Sequence, residues 1–254
     1  MRPVNRLCGV AALLIALVAS NTHAHADPLA LWRIVHDQCV PHQIDRHDPS
    51  PCTLVDLAHG YVVLKDRVGA TQFLVLPTAR ITGIESAVLL LPRSTDYMQE
   101  AWSARRLVEA RAPGHLTRSD LSLAVNSIHG RSQNQLHIHV DCLRQSVRDA
   151  LAQHRGAIGD KWRPFPLALA GHYYIARRLV IPDLDGVNPF RTLADEVPDA
   201  RANMGEYTLV VAGATFAGKP GFILLADRAD VLRGDVANGE SLQDHSCAVA
   251  HASK

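Results

Sequence analysis

From residue 29 onward, short apolar runs switch repeatedly between the spacing of a helix and that of a strand. Over residues 29–40, Leu31, Ile34 and Val35 fall on one side with Trp32 beside them, which predicts a helix that Cys39 ends and Pro41 stops. Residues 61–64 and 72–76 are β-rich and are separated by Lys65, Asp66, Arg67 and Gly69, the pattern of a hairpin with a loop of several residues. An apolar run over 84–91 closes at Pro92. Thr95 or Asp96 can cap a helix to about residue 110, with Met98, Trp102 and Leu107 as its buried stripe, before Pro113-Gly114 breaks it.

Two alternating segments follow. Leu121, Leu123 and Val125 alternate with Ser122, Ala124 and Asn126, which predicts a half-buried strand; Gly130-Arg131-Ser132 turns the chain; Leu136, Ile138 and Val140 then alternate with His137, His139 and Asp141 in a second strand. Residues 144–154 read as a helix with Val147 and Leu151 inward, 173–181 as a strand, 189–196 as a helix opened by Asn188, and 207–211 and 222–225 as further strands. No shift in composition, low-complexity run or repeat marks a linker. Residues 27–254 are therefore expected to form a single α+β domain, a mostly antiparallel sheet with helices packed on it.

The first 26 residues read differently. Arg2 and Arg6 flank the start of an apolar run over 7–19, and Ala24-His25-Ala26 precedes Asp27. This is the pattern of an export signal cut after Ala26, or of an uncleaved anchor that holds the protein on the inner membrane. Cys8 follows no lipobox-like run, and both readings put the domain outside the cytoplasm, on the periplasmic face. The remaining cysteines, Cys39, Cys52, Cys142 and Cys247, are even in number, as expected for two disulfides in an oxidising compartment. Of the three connectivities, Cys39–Cys52 with Cys142–Cys247 is favoured. The first pair closes a loop broken by Pro41, Pro49 and Pro51, and the second ties the C-terminal tail to the core. Four free thiols are the alternative, since none has C-x-x-C spacing.

Composition narrows the function classes. Apolar residues are 47% of the 254 and charged residues 20%, which excludes disorder as the main state. Lys plus Arg number 26 against 25 Asp plus Glu, so there is no basic excess for nucleic acid, and at 5% aromatics there is little base-stacking surface. No apolar run reaches the roughly 20 residues of a comfortable membrane span. Histidine, at 14 copies, is the oddity.

The densest polar cluster runs from Asn126 to Asp141. Strand periodicity puts Gln135, His137, His139 and Asp141 on one face and sends Leu136, Ile138 and Val140 to the core. Asn126 projects from the neighbouring strand, and the turn brings Arg131 and Ser132 to the mouth of that face. Three readings of the cluster compete. His137 and His139 can share a metal ion, with Asp141 a distant third ligand. The face can simply be solvated. Or one imidazole is a nucleophile toward phosphorus while its neighbours hold phosphate oxygens. Elsewhere, Tyr97 and Trp102 read as core, and Lys65 and Asp66 as a solvated hairpin loop.

The segment resembles the histidine-triad superfamily, whose His-φ-His-φ-His-φ motif (φ apolar) follows a Gly-x-Ser turn and an upstream Asn. Here the matching residues are Asn126, Gly130-Arg131-Ser132 and Gln135-Leu136-His137-Ile138-His139-Val140. More narrowly, the chain is similar to the bacterial CDP-diacylglycerol pyrophosphatase family. That similarity rests on Leu31-Trp32-Arg33-Ile34-Val35, Asp48-Pro49-Ser50-Pro51-Cys52, Gly60-Tyr61-Val62-Val63-Leu64-Lys65-Asp66, Gly83-Ile84-Glu85-Ser86 and Ser122-Leu123-Ala124-Val125-Asn126-Ser127. The resemblance implies a histidine-triad-like fold and hydrolysis of CDP-diacylglycerol to CMP and phosphatidate through a cytidylyl-histidine intermediate. It makes His137 the nucleophile and has His139 hydrogen-bond a phosphate oxygen. Ser132 would contact the bridging or leaving oxygen, Arg131 neutralise pyrophosphate charge and Asn126 bind ribose or phosphate. Gln135 stands where the motif has its first histidine and takes a supporting role. No metal or other cofactor is required. The partner implied is a lipid substrate in the membrane, and a homodimer is among the expectations, since small histidine-triad proteins often pair. The alternatives are an exported nucleotide- or metal-binding protein, or a hydrolase of soluble nucleoside diphosphate derivatives.

Overall fold

A computed structural model describes residues 27–251; the signal or anchor expected over 1–26 lies outside the described residues. The chain opens with a continuous helical segment: α1 (Ala30–Arg33), a π-helical stretch (Ile34–Cys39) and α2 (Val40–Arg46). The helix therefore does not stop at Pro41. In the widened π turn the Val40 N–H donates to the Val35 carbonyl, five residues back, and the proline that follows sits in the first turn of α2, where a missing N–H does little harm. His47, in the left-handed region at φ 54°, ends α2.

Among the described residues the sheet has nine strands, every neighbouring pair antiparallel: β1 (Leu54–Asp56), β2 (Tyr61–Lys65), β3 (Phe73–Pro77), β4 (Leu121–Val125), β5 (Ile138–Cys142), β6 (Arg163–Pro164), β7 (Ile175–Leu179), β8 (Tyr207–Phe216) and β9 (Lys219–Arg228). Their order across the sheet is β1-β2-β3-β5-β4-β8-β9-β7-β6. β8 and β9 outrun the lengths read from sequence because Ala217-Gly218, both at positive φ, make a two-residue turn that lets the strands pair over their full lengths. Three longer helices flank the sheet: α3 (Tyr97–Arg111), α4 (Gln145–Gln153) and α5 (Pro189–Glu196). The Asp96 side chain caps α3 by accepting from the Gln99 N–H, and Asn188 caps α5 by accepting from that of Arg191. The α+β, mostly antiparallel expectation holds.

β4 and β5 are buried on both faces, not half-buried. On one face Val63, Val75, Leu123, Ile138, Val140, Val211 and Leu224 join Met98 and Trp102 of α3 and Phe190 of α5 in the main core. The opposite face carries two smaller clusters. Val62, Leu64, Leu74 and Leu76 pack on the N-terminal helix, and Val147 and Leu151 of α4 pack with Val210, Ala212, Ile223 and Leu225. Between these clusters runs a polar seam of buried Gln72, Ser122, His139, Asp141 and Gln243. The second face is closed by the N-terminal helix on one side and by the C-terminal tail, residues 236–247, on the other.

Both disulfides form with the favoured pairing, Cys39–Cys52 with Cα atoms 5.6 Å apart and Cys142–Cys247 with Cα atoms 5.2 Å apart. The second closes 105 residues of chain and pins the tail beside the last residue of β5. Replacing both Cys142 and Cys247 by alanine should lower stability in denaturant titration by about 2–5 kcal/mol, the range for removing a native disulfide. A change near zero would show that the tail is held without it.

Candidate active site

β5 places its side chains by strand alternation. Ile138 and Val140 enter the main core, while His139 and Asp141 face the seam, with His137 just ahead of the strand. His137 is 7% exposed and His139 4%, so the solvated-face reading fails: the chain buries both imidazoles. The rings meet edge to face with centroids 4.9 Å apart.

His137 Nδ1 lies 2.7 Å from the Gln135 carbonyl oxygen. A carbonyl only accepts, so Nδ1 carries the proton and the lone pair is left on Nε2. Burial pulls the His137 pKa below the ordinary 6.5, which keeps the ring neutral near pH 7. His139 is turned the other way. Its Nδ1 accepts from Gln72 Nε2 at 2.6 Å, which puts the proton on Nε2, and that atom is buried with no partner among the described residues. Burial, reinforced by the adjacent His137, also holds its pKa well down. One ring thus offers a lone pair and the other an N–H.

Behind His139 stands a charged chain. Glu240 Oε1 is 3.3 Å from His139 Nδ1 and 3.3 Å from His245 Nε2, and it accepts from Gln72 Nε2 at 3.1 Å. His245 Nδ1 donates to Asp141 Oδ2 at 2.8 Å, and Thr71 Oγ1 donates to Asp141 Oδ1 at 2.7 Å. Burial alone would raise the Glu240 carboxyl, but hydrogen bonds from His245 and Gln72 and the charge of His245 hold it below the usual carboxylate range. Hydrogen bonds to Asp141 and Glu240 raise His245 to about 9, so it is an imidazolium between two carboxylates at neutral pH. These contacts also turn Asp141 away from His137 and His139, so it is not the third ligand that a shared metal ion would need.

Asn126 locks the tail over the site, its Oδ1 accepting from the Glu240 N–H at 3.1 Å and its Nδ2 donating to Glu240 Oε2 at 3.3 Å. Asn126, Ser132, His137, His139 and Glu240 line one cavity of about 580 Å³, with Lys65 and Arg67 from the β2–β3 loop and an apolar wall of Leu31, Ile34, Leu64 and Leu74. The Lys65–Asp66 loop, read from sequence as merely solvated, is therefore part of the site. The wall is fixed to the turn after β4: Gln133 Oε1 accepts from the Leu31 N–H at 3.1 Å, and the Asn134 N–H donates to the Pro28 carbonyl at 2.7 Å.

Two candidates sit elsewhere. Arg131 forks onto Glu85 at 2.6 and 2.8 Å, across the bare backbone of Gly83, where a Cβ would come within 2.0 Å of the guanidinium. It fastens the turn, and the cations lining the cavity are Lys65 and Arg67. Gln135 points its Nε2 at the carbonyls of Pro77 and Ala79, 3.0 and 2.9 Å away. Its contribution to the site is its own backbone carbonyl, the acceptor for His137.

Sequence reading missed Gln72, Glu240 and His245. The signal for the last was indirect: His245 precedes Cys247 by two residues, Asp141 precedes Cys142 by one, and the favoured pairing brings these neighbours together.

Comparison with known proteins adds the decisive observation: the profile of the CDP-diacylglycerol pyrophosphatase family matches residues 26–251, nearly the whole chain. The chain belongs to the CDP-diacylglycerol pyrophosphatase family. It is 42% identical over 237 residues, 93% of its length, to the CDP-diacylglycerol pyrophosphatase of Yersinia pestis, and covers 90% of that protein. Among solved structures, a DUF4931 family protein from Bacillus cereus overlaps 76% of this chain and 93% of its own at 8% identity, with a TM-score of 0.41, too loose a likeness to bear on the fold family.

The charged chain in this family member makes stability depend on pH. His245 binds its proton more tightly folded than unfolded, so its contribution is complete below pH about 6.5 and is lost as the pH climbs through about 9. Denaturant titrations should show a fall of about 1–2 kcal/mol across that window after allowance for solvent screening. His245→Gln should remove most of this slope; an unchanged slope in that variant would contradict the assignment.

Proposed function

We propose that the protein splits CDP-diacylglycerol by passing its cytidylyl group first to His137 and then to water. Hydrolysis of CDP-diacylglycerol is the activity of the family to which the chain belongs; the route and the residue roles are the proposal. The observation that carries it is the hydrogen bond from His137 Nδ1 to the Gln135 carbonyl, which leaves an unprotonated Nε2 in a neutral, buried ring beside the cavity.

In the first step the Nε2 lone pair forms a bond to the cytidylyl phosphorus while the bond from that phosphorus to the bridging oxygen breaks. Phosphatidate leaves with the bridging oxygen and the electron pair. In the second, water attacks the same phosphorus and gives up one proton to solvent, the P–N bond breaks, and CMP departs with the new P–OH as Nε2 regains its lone pair. The His139 Nε2–H, unpartnered among the described residues, donates to a phosphoryl oxygen on which charge accumulates. Ser132 reaches the bridging or leaving oxygen from the rim, and Asn126 binds ribose or phosphate. Lys65 and Arg67 supply the positive charge that the resemblance assigned to Arg131, whose guanidinium is committed to Glu85. Gln135, in the place of the first triad histidine, acts through its carbonyl. This unit of β4, turn and β5 supports a histidine-triad-like arrangement.

The apolar wall of Leu31, Ile34, Leu64 and Leu74 gives the diglyceride end of the substrate a surface to lie against. None of the helices in the described residues is long and apolar enough to cross a membrane. Contact with the bilayer then falls to the segment 1–26 or to peripheral association, at the periplasmic face of the inner membrane. Two disulfides fit that oxidising location.

Rapid quenching during turnover, followed by peptide mass spectrometry, should find a cytidylyl adduct on His137. His137→Ala should lower kcat by roughly 10³-fold or more while the protein stays folded. An adduct elsewhere, or substantial turnover in the alanine variant, would overturn the proposal. Faster cleavage of a soluble CDP-alcohol than of the lipid would move the substrate assignment to soluble nucleoside diphosphate derivatives.

A further inference from the structure

A second group of potential ligands gathers at the ends of β7 and β9. His172 stands just ahead of β7, after a tight turn in which Ala170 and Gly171 both have positive φ and Leu169 and His172 exchange backbone hydrogen bonds of 2.8 and 3.0 Å. Asp227 is the penultimate residue of β9, and Asp235 follows the short helical turn Val231–Arg233. Three separate segments thus bring one imidazole and two carboxylates together, with one ligand atom from each lying within 4.8 Å of the others. One small ion holds its ligands within roughly 4 Å of one another, so the three side chains close inward by a fraction of an ångström on binding one.

One detail sets this group apart from an ordinary surface cluster. Asp227 is only 8% exposed, and its Oδ2 is buried without a hydrogen-bond partner among the described residues, a costly state for a carboxyl group that faces a second one. His172 Nδ1 is hydrogen-bonded to Asp235 Oδ2 at 3.0 Å, a spacing that neighbouring ligands of one ion with bonds of about 2.1 Å also adopt. Asp235 is held in place by its other oxygen, which accepts from the Ala237 N–H at 2.9 Å.

We propose that His172, Asp227 and Asp235 bind a divalent first-row transition-metal ion, with Zn²⁺ the best match to one nitrogen and two carboxylate ligands. An imidazole in the set disfavours Ca²⁺ and Mg²⁺, which take oxygen ligands. The ion gives the buried Asp227 oxygen a partner and leaves one position for water. It takes no part in the phosphorus chemistry and is independent of it. Its effect is mechanical. It ties β9 and the turn before β7 to the segment 229–237, and that segment supports the active-site turn, since Ser127 donates through its N–H to the Ala237 carbonyl at 3.1 Å and through Oγ to the Val236 carbonyl at 2.6 Å. Glu240 follows directly.

The test is calorimetric titration of chelator-stripped full-length protein with ZnCl₂, paired with thermal unfolding. Wild type should show one tight Zn²⁺ site per chain and a raised unfolding midpoint, and MgCl₂ at the same concentration should give neither. His172→Ala and Asp235→Asn should bind at least tenfold more weakly and lose the midpoint shift, with circular dichroism spectra unchanged. Asp227→Asn, nearly isosteric, is the second arm should His172→Ala fail to fold, and it should lose binding as well. Absence of a tight site in wild type, equal response to Mg²⁺, or Zn²⁺ affinity retained in Asp227→Asn and Asp235→Asn, as binding at His137 and His139 would give, overturns the proposal.

Discussion

A single hydrogen bond, from His137 Nδ1 to the carbonyl of Gln135 two residues earlier, sets the chemistry of the cavity. It fixes the tautomer, and with burial it produces a neutral ring whose remaining lone pair is free. Its geometry is local, but its persistence is not. The Gln135 side chain is tied to the backbone after β3 through Pro77 and Ala79, the Leu136 N–H donates to the Ile81 carbonyl at 2.6 Å, and Arg131 is clamped by Glu85. The approach to β5 is thus fastened on both sides, and the imidazole inherits that rigidity.

The second constraint is the burial of the sheet on both faces. A strand with one wet face would leave the two histidines solvated, with ordinary pKa values. Here the N-terminal helix and the C-terminal tail each cover part of the second face, and the gap between their apolar clusters is where polar side chains are buried and hydrogen-bonded. The site is this seam. Its two walls explain why the disulfides occur where they do: Cys39–Cys52 holds the helix, and Cys142–Cys247 holds the tail that carries Glu240 and His245. Charge follows the same logic, since the His245 imidazolium compensates Glu240 and Asp141 in a place that water reaches poorly.

What could be read from sequence divides along the range of the interactions. The caps Asp96 and Asn188, the β2–β3 hairpin and the alternation through Ile138, His139 and Val140 depend on residues near in sequence, and they were legible. Pro41 misled because a π turn, invisible in apolar spacing, absorbs it. Two-sided burial of β4 and β5 was hidden because the second cover is polar where it touches them. Asn126, Ser132, His137 and His139 were brought together as expected, whereas Arg131 was read as a free cation because its partner Glu85 lies 46 residues away. Gln72 and Glu240 carried no local pattern, since each matters only through tertiary contact with His139.

The central claim concerns one proton, and nitrogen-15 NMR of the imidazole side chains, with His137 assigned by substitution, observes it directly. The account predicts that near pH 7 His137 is the neutral Nδ1–H tautomer, with an unprotonated Nε2, and that it stays neutral below pH 6.5. A proton on Nε2, or an imidazolium at pH 7, would contradict it.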